Sequence, residues 1–131
     1  MRTLPPRIVQ NIEKREDDWV AIANDLAASL SQKRQEKERQ LRNIQSIAEE
    51  SDSWAALSLF IRYQAAREKL DIGWAEEAVG RLERLGNEAR QLAGNSNADV
   101  QRQIHMELIA RVIGYTVRRH VWDNKMREAR Q

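Results

Sequence analysis

The sequence predicts an all-α protein, a compact bundle of about five helices forming one domain over residues 1–131. Only 5 Gly and 2 Pro interrupt the chain, while 32% of residues are charged and 41% hydrophobic. Few breakers and many charges suit helices with solvated outer faces. Apolar residues recur every three or four positions through most of the chain, and no stretch alternates with the period of two that a strand requires. No internal repeat or linker-like composition divides the chain, and its length matches one domain.

The first helix is expected from Pro6 to residue 30. Pro5 and Pro6 suit a helix entry, because proline lacks an amide hydrogen that would be unpaired there anyway. Ile8, Ile12, Trp19, Ile22, Ala23, Leu26 and Leu30 then follow at near-helical spacing, with the charged run Glu13 to Asp18 as an exposed middle turn. Residues 31–40, SQKRQEKERQ, contain no apolar side chain, so they form either a loop or the fully exposed opening of a second helix, which their helix-forming residues favour. Leu41, Ile44, Ile47 and Ala48 continue that helix as a narrow stripe.

Ser51, Asp52 or Ser53 offers a capping oxygen to a third helix carrying Trp54, Leu57, Phe60 and Ile61, with the run continuing to Leu70. Asp71 can cap a fourth, whose apolar positions Trp74, Ala78, Leu82, Leu85, Ala89 and Leu92 step by three or four without error. Gly94 suits a left-handed helix stop and Asn97 a new cap. The last helix, from about 98 to the late 120s, has two stripes: Val100, Ile104, Leu108, Val112 and Tyr115, and Ile109, Ile113, Val117 and Val121. Two stripes predict a central helix packed on both sides.

The absence of cysteine excludes a disulfide scaffold and thiolate metal or redox sites, and suggests an intracellular, cytoplasmic setting. The N-terminal residues lack a signal-peptide core, and no apolar stretch approaches the ~20 residues that cross a bilayer. His105 has no carboxylate or second histidine at i+3 or i+4 and His120 has only Asp123 at i+3, too few ligands for a metal face, so each is expected to be solvated or hydrogen-bonded rather than metal-bound. No Ser-His-Asp arrangement, glycine-rich phosphate loop or Arg-x4-His nuclease motif appears. The expectation is a protein without catalytic residues, metal or cofactor, whose work is binding.

Net charge is only +2, but it is unevenly spread. Acidic residues outnumber basic by three between 71 and 110, and basic outnumber acidic by four from 111 onward. A field that changes sign suits a chain with one face toward phosphate and another toward protein. Lys33, Arg34, Lys37, Arg39 and Arg42 cluster around the second helix, where interleaved glutamates also allow a solvated face laced with i to i+4 pairs. Arg111, Arg118 and Arg119 lie on the last helix. Arg62 and Arg67 punctuate the apolar run Leu59 to Arg67, and an arginine so near a core needs a carboxylate, backbone or phosphate partner, with a buried salt bridge and a phosphate contact both open. The tryptophans Trp19, Trp54, Trp74 and Trp122 read as core, with a partner interface as the alternative for Trp122, which lies beyond the main stripe and beside basic residues.

Three segments carry a resemblance: Gln40-Leu41-Arg42-Asn43-Ile44, then Leu59 to Arg67 with its Tyr-Gln-Ala-Ala-Arg ending, then Glu107 to Tyr115. In order and spacing, over residues 38–120, they resemble the helical small subunit of type III, Csm-type CRISPR effector complexes. The family often has Ser or Thr just before the Gln-Leu-Arg element, where this chain has Lys37-Glu38-Arg39, and alanine where it has Gly114. The resemblance implies a non-catalytic subunit of an antiviral-defence ribonucleoprotein, stacked in copies along a filament. There it supports the guide RNA and target RNA while other effector-complex subunits cut. It implies Arg42 and Arg67 as RNA-backbone contacts, to which the pattern of basic residues adds Arg39, Arg62, Arg111, Arg118 and Arg119. The alternatives are a protein-only helical adaptor and a helical nuclease or toxin component.

Overall fold

The computed structural model describes residues 2–30 and 34–130, and among these it contains six α-helices and no strand. They are α1 (Pro6–Glu13), α2 (Glu16–Ala28), α3 (Arg34–Glu50), α4 (Trp54–Ala66), α5 (Ile72–Ala93) and α6 (Ala98–Ala129). The all-helical class holds, and the sixth helix arises because the segment 6–30, expected as one helix, is two.

The break falls at Lys14 and Arg15, where Arg15 leaves helical geometry with φ −109° and ψ 21°. A continuous helix would give the Ile12 carbonyl to the amide of Glu16. Here the indole Nε1 of Trp19 donates to it at 3.0 Å, and Trp19 is fully buried in the corner. Three acids, Glu16, Asp17 and Asp18, fill the first turn of α2, where they meet the positive end of the helix dipole. Arg15 clamps the corner to α5 through Glu88 at 2.7 Å. The charged run was therefore a helix start, and the bend lets α1 pack on α5 while α2 packs on α6.

The 32 residues of α6 span about 48 Å at 1.5 Å per residue. It packs against α2, α3 and α5, and its middle is buried on all sides from Leu108 to Val117 apart from Arg111 and Tyr115. This is the central, doubly packed element expected, except that Val121 at the end of the second stripe is 39% exposed. There α6 runs past the apolar part of its neighbours, and polar His120 and Asn124 take the inward positions instead.

Caps follow the expected chemistry with one exception. The Ser53 hydroxyl accepts from the amide of Ala56 at 3.0 Å and the Asn97 side chain from that of Val100 at 2.9 Å, while Gly94 takes φ +57°. Asp71 occupies the N-cap of α5 but makes no capping bond. Its carboxylate lies 3.5 Å from the ammonium of Lys37 instead. Lys37 and Gln40 are buried, which corrects the expectation that residues 31–40 are wholly exposed. Gln40 accepts from Gln64 Nε2 at 2.7 Å, so the first turns of α3 are wedged against the end of α4. Long polar side chains can fill such a corner because their stems are apolar and their tips find partners. Residues 31–33 lie outside the described residues.

Candidate nucleic-acid interface

Helix α3 runs antiparallel to α6. Gln45 packs on Gly114, and further along Arg2 joins Ala48 on α3 to Glu107 on α6. The Gln64–Gln40 bond sets the C-terminal half of α4 beside the N-terminal half of α3. The start of α3 and the ends of α4 and α6 therefore share one end of the bundle. Arg39 and Arg42 on α3, Arg62 and Arg67 in and just after the second half of α4, and Arg118 and Arg119 in the second half of α6, dispersed in sequence, lie toward that end. All six are exposed.

Their states differ. Arg42 pairs with Glu38 at 3.0 Å and Arg119 with Asp123 at 2.9 Å, both i to i+4 on one helix. Arg62 makes no ion pair or hydrogen bond among the described residues. Arg67 lies over the ring of Tyr63, its guanidinium carbon 5.5 Å from the centroid, with a long contact to Gln64 Oε1 at 3.4 Å. Arg118 lies 5.2 Å over Tyr115. Neither has a carboxylate partner among the described residues. Lys33 and the side chain of Arg34 lie outside the described residues.

Arg111 belongs to the bundle instead. It bonds Glu107 and, across to α2, Glu16, each at 2.9 Å. Burial opposes its charge, but Glu107, with Glu16 and Glu13, outweighs burial and holds the guanidinium above its ordinary pKa. A guanidinium committed to two carboxylates has few donors left for phosphate.

A buried salt bridge is excluded for Arg62 and Arg67, since both are exposed. The run around them is apolar because the outer face of α4 is apolar too: Ala55, Ala56, Leu59, Tyr63 and Ala66 all face solvent. Among the described residues the buried arginine is Arg2, whose side chain is only 7% exposed. It donates to the carbonyls of Ala48 and Ser51, pairs with Asp52 at 3.1 Å and lies 3.6 Å from Glu107. Nothing near Arg2 in the sequence signals this role.

Between the N-terminal arm, α3 and α6 lies a groove of about 640 Å³ lined by Gln45, Glu49, Glu50, Tyr115 and Arg118, among others. Its charges are mixed, so it is not an anion cradle. A Cβ on Gly114 would come within 3.1 Å of Gln45 Nε2, which explains why glycine accompanies glutamine here.

Both histidines are hydrogen-bonded. His105 Nε2 lies 2.9 Å from the carbonyl of Leu82, and burial pushes its pKa down. His120 is buried, with Asn124 Nδ2 at 3.2 Å. No cluster of three metal-ligating side chains occurs among the described residues. Trp19 and Trp74 are core, Trp54 is half-buried against the ring of His105, and Trp122 is 58% exposed. No described helix is long and apolar enough to cross a membrane.

No family model matches the chain, and neither the curated proteins nor the solved structures yield a significant match.

Proposed function

We propose that this chain is a non-catalytic small subunit of a type III CRISPR ribonucleoprotein, cytoplasmic and stacked with copies of itself, that supports guide and target RNA through backbone contacts. The observation that carries the reading is the placement of exposed Arg39, Arg42, Arg62, Arg67, Arg118 and Arg119 toward one end of the bundle. Phosphate contacts need guanidinium groups on a firm surface and no readout of base edges, because a guide-dependent assembly must accept any sequence. The exposed Arg42–Glu38 pair contributes only about 0.3–0.5 kcal/mol, so Arg42 can exchange its glutamate for a phosphate.

The test is an assembly purified with its natural partners and titrated with salt. Arg42→Ala and Arg67→Ala should each weaken RNA retention and flatten the dependence of log affinity on log salt by about one unit per lost contact. Variants that retain RNA as the parent does across the titration would refute the role.

A specific observation also favours the protein-only adaptor. Leu59 is 67% exposed and Ile72 64%, and large apolar side chains on a surface suit a protein partner. An assembly holding this chain with no protected RNA would select that alternative.

A further inference from the structure

Four of the arginines at the proposed RNA end are held in two different ways, and the difference bears on which of them take phosphate. Arg42 and Arg119 each face a carboxylate that offsets their charge and occupies an N–H donor. Arg67 and Arg118 are instead laid over tyrosine rings, at 5.5 and 5.2 Å, with no carboxylate partner among the described residues. A ring attracts the flat face of a guanidinium and leaves its in-plane donors and its charge available. It also restricts the rotamers of a long side chain before any ligand arrives, which lowers the entropy lost on binding. The arrangement occurs twice, as Tyr63 on α4 with Arg67 just after its end and as Tyr115 with Arg118 on α6. Tyr115 is itself half-buried, and burial followed by the charge of Glu16 raises its phenol pKa.

We infer that Tyr63 and Tyr115 are positioning residues that hold Arg67 and Arg118 ready for the phosphates of an RNA backbone. The inference rests on the RNA reading above. It makes the ring, and not only the cation, part of the interface.

The experiment uses the full chain and a labelled mixed-sequence RNA duplex. Tyr63→Leu and Tyr115→Leu keep every charge, and each should weaken binding about two- to fivefold, with about tenfold loss for the pair. The slope of log affinity against log salt should stay at the parent's value. Tyr63→Phe and Tyr115→Phe keep the ring and should bind as the parent does. Arg67→Lys and Arg118→Lys leave both tyrosines in place and retain charge without a planar face, so they should weaken binding like the leucine variants and serve if a leucine variant misfolds. In the free protein, the NMR signals of the Arg67 and Arg118 Nε–H groups should shift on Tyr→Leu and hold on Tyr→Phe.

If the leucine and lysine variants bind like the parent while Arg67→Ala and Arg118→Ala bind weakly, the positioning role is wrong and the RNA reading stands. Unmoved Nε–H signals in a folded leucine variant overturn the positioning role without any RNA. If the parent binds no RNA, alone or in its assembly, both fall together.

Discussion

Arg2 joins the end of α3, the turn before α4 and the side of α6 through one guanidinium group. Its bonds reach the Ala48 and Ser51 carbonyls, which a helix terminus leaves unpaired, so it acts as a C-terminal cap supplied from 46 and 49 residues away. Replacing it with methionine keeps the apolar stem and removes the donors. Arg2→Met should destabilise the fold by about 1.5–3 kcal/mol, read as a lower denaturant midpoint. Residue-scale features were legible where their causes are local. Ser53, Gly94 and Asn97 announce caps because capping is a contact over two or three residues. Arg2, Lys37 and Gln40 were not legible, since each is explained by a partner at least 24 residues distant.

At the scale of the helix, amphipathic spacing found every element and erred where two helices abut. Ile12 and Trp19 are seven residues apart and share a face whether or not the helix is continuous, so spacing alone hides the break at Arg15. Charge order carried the missing signal: Lys14 and Arg15 precede Glu16, Asp17 and Asp18, the polarity of one helix ending and another beginning. The end of α4 shows a related economy. The Lys69 amide bonds the Gln64 carbonyl at 2.9 Å and that of Glu68 bonds the Ala65 carbonyl at 3.0 Å, a Schellman stop that places Glu68 at φ +63°. Glutamate is a poor choice for that conformation, and its charge lies at the negative end of the helix dipole. Glu68→Gly should stabilise the protein by about 1 kcal/mol, seen as a higher denaturant midpoint at unchanged slope.

For the whole molecule, the sequence indicated which arginines to consider but not that six of them lie toward one end. That depends on the antiparallel course of α3 along α6 and on how α4 leans against α3, which are facts of packing. Arg111 shows the limit most clearly: it sits among the basic residues of α6 in sequence and is bound into the bundle by Glu16, 95 residues away. The same packing has a consequence for synthesis. The helix that completes the faces of α2, α3 and α5 is the last of the six to leave the ribosome, so the earlier helices wait with their apolar sides open until residues 98–129 emerge. A chain stopped at Asn97 should show reduced helical ellipticity and no cooperative unfolding transition; a sharp transition in that fragment would show that α1 to α5 fold by themselves. Folding of this bundle is thereby deferred until α6 has been made, and a nascent-chain chaperone or a partner bound early would meet open helix faces before it met a finished surface.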